Sequence, residues 1–142
     1  MEYLFVYGTL LSDIPSSMSK FVRRRADLVG KATTPGTLYD LGGYPGFVPG
    51  GGSQVTGELY RIHPDRAAET WGLLDAYESV TGAPEDEYAR RELGVRVGGG
   101  GRFRAVTYVY VGNTKGLTTI PGGNYPAFYR TNPAHRKFTG ND

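Results

Sequence analysis

The sequence predicts an α+β fold in which one clear helix packs on a small, strongly curved or closed β-sheet. Three observations carry that prediction. Extended, strand-like segments recur along the chain at Tyr3–Tyr7, Ala26–Leu41, Gln54–Ile62, Ala89–Val97 and Arg102–Val111. Glycine (22) and proline (9) are abundant enough in 142 residues to favour many turns over long helices. Only Pro64–Glu78 sustains a helical period over four turns.

The elements follow in order. Tyr3–Tyr7 is almost wholly apolar or aromatic, as a buried strand should be. Ser12–Pro15 offers a helix start, and Ser16–Arg24 carries a short helix with Met18 and Phe21 turned inward. Ala26–Leu41 is extended and broken at Pro35-Gly36. Gln54–Ile62 alternates, with Val55, Gly57 and Leu59 on one side and Glu58, Tyr60 and Ile62 on the other. The last two strands are joined at Gly98–Gly101, which reads as a hairpin turn, as does Gly50-Gly51-Gly52. Neither glycine cluster has a P-loop lysine or dinucleotide-fold spacing. Residues 1–132 are expected to form one domain, with 133–142 a loosely ordered C-terminal tail.

Composition narrows the chemistry. Hydrophobic residues (39%) and charged residues (21%) are in globular proportion, and the net charge is only +2. The runs Arg23-Arg24-Arg25 and Arg90-Arg91 read as solvated faces. There is no cysteine, which removes disulfides, thiolate metal sites and a cysteine nucleophile. His63 and His135 stand far apart with no metal-ligand pattern and read as ordinary surface or loop histidines; no metal and no cofactor is expected. Ser12 and Ser16-Ser17 lack a nucleophile-elbow context. No apolar run approaches the roughly 18 residues of a membrane span. The first residues lack a signal-peptide pattern, so a cytoplasmic protein without membrane or nucleic-acid partners is expected, with a monomer favoured.

Two features point to a site. At about 100° per residue, Ala67, Trp71 and Leu74 share one stripe of the long helix, and Glu78 falls in the same arc. Asp65, Glu69, Gly72 and Ala76 take the opposite side, so the helix aims one carboxylate toward its own apolar face. A buried, unpaired glutamate is raised from roughly 4.3 toward neutrality, where it can take a proton and return it. Asp75 lies at the edge of the stripe as a second, more exposed candidate, and pairing of Glu78 with Arg90 or Arg91 is the structural alternative. The second feature is Tyr7-Gly8-Thr9-Leu10, where the first strand ends. A glycine turn there leaves consecutive N–H groups without ladder partners, suited to a carboxylate or an oxyanion. An ordinary strand-to-helix turn is the structural alternative.

Taken together these segments resemble the γ-glutamylcyclotransferase-like family, in particular its small γ-glutamylamine cyclotransferase branch. The resemblance runs through VYGTL, then LYDLGGYPG (38–46), VTGELYRI (55–62) and LLDAYES (73–79), and on to Tyr88, Arg90 and Arg91. It implies a small mixed β-barrel flanked by helices, a substrate-binding loop at Tyr7, Gly8, Thr9 and Leu10, and an acid–base role for Glu78. The stretch SVTGAPEDE (79–87) is longer and more acidic than the resemblance implies and is expected near the mouth of the site. Gly123-Asn124-Tyr125 fits a family pattern loosely, making Tyr125 a candidate pocket wall.

The activity implied is cyclisation of a γ-glutamyl amine or amide, releasing 5-oxoproline and a free amine, with one glutamate as base and then acid. Its partner is a small γ-glutamyl molecule. Two rival readings are a non-catalytic binder of an amino-acid-like carboxylate and a barrel that stacks single-stranded nucleic acid on Phe103, Tyr108 and Tyr110.

Overall fold

Five strands close into a barrel in a computed structural model that describes residues 2–140. In chain order these are β1 (Tyr3–Val6), β2 (Ala26–Asp40), β3 (Pro45–Ile62), β4 (Tyr88–Val97) and β5 (Arg102–Tyr110). Around the barrel they run β1-β3-β2-β4-β5. All neighbours are antiparallel except β1 and β5, which meet in parallel at Leu4 and Val106 and close the barrel. Closure leaves no long free sheet edge.

Side chains on both faces of β3 are buried. Val55 and Leu59 are fully enclosed, Glu58, Tyr60 and Ile62 on the alternate face are buried as well, and the segment after β1 reaches Glu58 through the Ser12 N–H. The break expected at Pro35-Gly36 is a register shift: Pro35 pairs with Gln54, but Gly36 pairs with Pro49. Residues 50–53 therefore bulge out of β3, and the expectation of a hairpin turn at Gly50-Gly51-Gly52 is corrected. Gly50 and Gly51 have φ of +96° and +81°, angles that glycine takes without a Cβ penalty. The hairpin between β2 and β3 turns instead at residues 41–44, where the Leu41 N–H donates to the Tyr44 carbonyl.

Helix α1 (Ser17–Arg25) is capped by Ser16, whose side chain accepts from the Ser19 N–H, and it buries Phe21 and Val22. A 3-10 turn at Pro64–Arg66 leads into α2 (Ala67–Tyr77), which buries Thr70, Trp71 and Leu74. Two further helices follow the barrel, α3 (Tyr125–Arg130) and α4 (Pro133–Gly140). For residues 133–140 the expected loose tail is thus corrected to a helix; residues 141 and 142 lie outside the described residues. The cause is local chemistry. Asn132 Oδ1 accepts from the Ala134 and His135 N–H groups, and His135 and Thr139, four apart, are both buried. His135 is not a surface histidine. It bridges Tyr125 Oη (2.8 Å) and Asp40 Oδ1 (2.7 Å) and so fastens α4 to α3 and to the end of β2. No described helix is long and apolar enough to cross a membrane.

Candidate active site

A cavity of about 190 Å³ opens at the end of the barrel where β1 stops, lined by Tyr7, Gly8, Thr9 and Leu10 on one side and Tyr77, Glu78 and Ser79 on another. Tyr44, Pro45, Glu87, Tyr88, Tyr108 and Phe138 complete most of its wall. The two sequence features thus meet in one cavity. Their link is direct: Thr9 Oγ1 lies 2.9 Å from Tyr77 Oη, the residue before Glu78.

The chain turns sharply at Gly8, where the Leu11 N–H donates to the Gly8 carbonyl (3.0 Å). Glycine is needed there for space rather than for a special φ. A Cβ at Gly8 would sit 2.5 Å from Pro45 Cγ. The N–H groups of Gly8, Thr9 and Leu10 have no hydrogen-bond acceptor among the described residues. The loop is held from behind instead. Ser16 Oγ donates to the Thr9 carbonyl (2.7 Å), and the Glu58 carboxylate accepts from the Ser12 N–H (2.8 Å), the Ser12 hydroxyl and the Tyr60 hydroxyl (3.0 Å). Glu58 was missed as a site residue by the sequence reading. Its signal was an acid sharing a strand face with Tyr60 and Ile62.

Glu78 follows the last turn of α2 and occupies its C-cap position. Ser79 then adopts a left-handed conformation (φ +56°), which stops the helix at that point. The Glu78 N–H donates to the Leu74 carbonyl, keeping the residue over the buried stripe of Trp71 and Leu74. Among the described residues no side-chain hydrogen bond or ion pair reaches the Glu78 carboxylate. Both arginines considered as its partner are engaged elsewhere: Arg90 pairs with Asp75 (3.3 Å) and lies over the Trp71 ring, and Arg91 donates to the Arg90 carbonyl (3.1 Å). Burial without compensation pushes the Glu78 carboxyl up to about 7. The Glu78 charge in turn helps burial hold the hydroxyls of Tyr7, Tyr88 and Tyr108 protonated, so the carboxylate sits within a ring of phenols.

Asp75 does not join the site. It accepts from Tyr108 Oη (2.6 Å) and pairs with Arg90, which fixes the outer end of α2 to β5. Tyr7 Oη donates to the Tyr108 carbonyl (2.6 Å), closing the β1–β5 seam beside the cavity. Tyr125, the candidate pocket wall, is not among the residues that line the cavity: it is fully buried against His135. Of the acidic stretch 79–87, Ser79 and Glu87 line the cavity, and Tyr44 Oη donates to Glu87 Oε1 (2.7 Å). Of the β5 aromatics in the nucleic-acid reading, Tyr108 is enclosed, Phe103 packs on Tyr3 and Tyr110 packs edge-on against Tyr88.

Comparison with known proteins bears on this geometry. The family model described as "Gamma-glutamyl cyclotransferase, AIG2-like" matches residues 4–127. The chain is 38% identical over 123 residues to the gamma-glutamylcyclotransferase family protein ytfP of Citrobacter rodentium, covering 86% of this chain and 93% of that protein. It is 37% identical to YtfP of Escherichia coli K12, covering 86% and 94%. The solution structure of E. coli ytfP superposes with a TM-score of 0.60 at 34% identity over 87% of this chain and 95% of that one. The crystal structure of a mouse AIG2-like protein superposes with a TM-score of 0.67 at 24% identity over 88% of each chain, a likeness of fold.

Proposed function

The chain belongs to the gamma-glutamyl cyclotransferase, AIG2-like family, and from that premise and the cavity's chemistry we propose that it cyclises γ-glutamyl amines or amides. In this reaction the substrate's α-amino nitrogen bonds to its own γ-carbonyl carbon. The bond from that carbon to the departing amine then breaks, giving 5-oxoproline and a free amine. The observation that carries the reading is a single unpaired carboxylate, Glu78, in one small cavity with the open N–H groups of the first turn.

Both reacting groups belong to one molecule, so the remaining obstacles are conformational, protonic and electrostatic. The α-ammonium, with a pKa of roughly 8, must lose a proton before it attacks. Passing it to a carboxylate at 4.5 is uphill by about 5 kcal/mol. Passing it to Glu78 at about 7 is uphill by about 1.4 kcal/mol. Glu78 then returns that proton to the nitrogen of the leaving amine, which otherwise departs as a strongly basic anion. The tetrahedral oxyanion and the α-carboxylate both require donors. Among the described residues the cavity lining offers no arginine or lysine for them, so the reading assigns these donors to the N–H groups of Gly8, Thr9 and Leu10.

The cavity supports a small substrate head. At about 190 Å³ it falls below the roughly 300–1,000 Å³ of sites that enclose drug-sized ligands. A γ-glutamyl head group fits that scale, with the departing amine directed toward the mouth.

The test is release of 5-oxoproline from a panel of γ-glutamyl amines, with Glu78→Gln alongside. Wild type should form product, with kcat/KM rising on an acid limb near 7. Glu78→Gln should lose at least 10²-fold in kcat while keeping its fold, the low end for a general acid–base. Undiminished turnover in that variant refutes the assignment of Glu78. Binding of γ-glutamyl ligands without product across the panel refutes catalysis.

A further inference from the structure

The mouth of the cavity is chemically unlike its floor. Among the described residues Glu78 and Glu87 are the charged members of the lining, and both are acids. Glu87 stands at the exposed rim, at the end of the acidic stretch that follows α2. One of its oxygens, Oε1, is held by the Tyr44 hydroxyl, and the attraction fixes the side chain beside the opening. The Tyr44 ring packs on both Tyr88 (6.4 Å between centroids) and Phe138 (5.2 Å). Burial and the neighbouring Glu87 charge push the Tyr44 hydroxyl up to about 12, so it remains a neutral donor to that carboxylate.

Phe138 comes from α4, beyond the residues 4–127 that the family model matches. It is exposed yet lines the cavity, and its ring lies against Tyr44 and close to Gly43. The Asp40–His135–Tyr125 chain, buried at His135 and Tyr125, holds α4 in the position that brings Phe138 to the rim. This rim therefore pairs a fixed carboxylate with aromatic faces, a combination that attracts an ammonium group and repels an anion.

We propose that Tyr44, Glu87 and Phe138 form a subsite for the departing amine, selecting γ-glutamyl conjugates whose amine portion carries a second, cationic group. The inference rests on the cyclotransferase reading, since that reading directs the departing portion outward. Glu87 acts here on specificity and takes no part in proton transfer.

Three substrates of matched length separate the possibilities: γ-glutamyl-putrescine, with a terminal ammonium; γ-glutamyl-pentylamine, with a methyl; and γ-glutamyl-4-aminobutyrate, with a carboxylate. Wild type should prefer them in that order by kcat/KM. The cationic-to-neutral ratio should fall by roughly 5-fold in Glu87→Gln, the scale of a partly exposed ion pair, and also in Phe138→Ala. It should shrink as salt rises. Equal turnover of the cationic and neutral substrates, with a ratio unmoved by Glu87→Gln, overturns the subsite while leaving the cyclotransferase intact. If no substrate yields 5-oxoproline, the cyclotransferase reading fails, and calorimetry with the intact γ-glutamyl-putrescine and γ-glutamyl-pentylamine decides the subsite. Tighter binding of the putrescine conjugate, weakened in Glu87→Gln, supports it; equal binding of the two conjugates overturns it.

Discussion

Replacing Glu78 by glutamine should make the protein more stable above neutral pH while removing its activity. The magnitude follows from the carboxyl's two environments. In the unfolded chain it ionises near 4.5; in the cavity it ionises at about 7. Between those values the native state holds a proton that the unfolded state has lost, so stability falls as pH rises from about 4.5 to about 7 and is level above that. At about 1.36 kcal/mol per pKa unit the full loss is about 3 kcal/mol, and access of water through the cavity mouth trims it toward about 2. Glutamine has the same shape and no such titration. Glu78→Gln should therefore match wild type near pH 4.5 and exceed it by about 2–3 kcal/mol at pH 8. Trp71 is the sole tryptophan and is buried in the stripe beneath Glu78, so urea unfolding followed by its fluorescence reads the difference. Parallel stability curves for the two proteins from pH 5 to pH 8 would refute the claim that this carboxyl is buried without a partner.

Three further perturbations probe the scaffold. Gly8→Ala places a Cβ 2.5 Å from Pro45 Cγ, so the loop must move; KM should rise at least tenfold, and adding Pro45→Ala should restore most of the loss. Steady-state kinetics on both variants check this. Glu58→Gln puts an amide donor where three donors converge, and a stability loss of about 2–3 kcal/mol with a raised KM is expected by urea unfolding and kinetics. His135→Ala removes a fully buried ring and leaves Tyr125 Oη and Asp40 without their partner. A loss of about 2–4 kcal/mol and faster proteolysis within 131–140 should follow.

Much of this molecule was legible from local pattern. Parts of all five strands and the two early helices were visible because their periods match the elements they form, although residues 45–53 of β3 were not. Alternation in 54–62 and the four-three-four spacing of Ala67, Trp71, Leu74 and Glu78 are examples. The parts that were not legible depend on partners distant in sequence. Gly50-Gly51-Gly52 looks the same whether it turns a hairpin or bulges from a strand; the choice is made by β2, which re-pairs Gly36 with Pro49. Tyr125 read as a pocket wall and His135 as a surface or loop histidine because their reason for being buried is each other and Asp40, 95 residues before His135. The capping signal at Asn132-Pro133 was present and marks the start of α4. The reason for Gly8 was also hidden. Its φ is ordinary, and the constraint comes from Pro45 across the cavity.

Glu58, which is buried, and Glu78, which is partly buried at the cavity, show how one side chain serves two ends. Glu58 accepts from three donors, so its burial is compensated and its carboxylate becomes an anchor for the loop beyond β1. Glu78 is given no donor among the described residues, and its proton affinity rises to the range in which an amine can exchange with it. Had Arg90 reached Glu78 instead of Asp75, the pairing would have drawn its pKa down and removed its use as a base. The Arg90–Asp75 pair and the cover of Arg90 over Trp71 occupy that cation on the outer side of α2. The same aspartate takes the Tyr108 hydroxyl, so neither group is left to stabilise the Glu78 charge. Keeping partners away from Glu78 is thus built into the same contacts that fasten α2 to the barrel. Disrupting Arg90–Asp75 should therefore disturb the proton chemistry of the cavity as well as the packing of the helix.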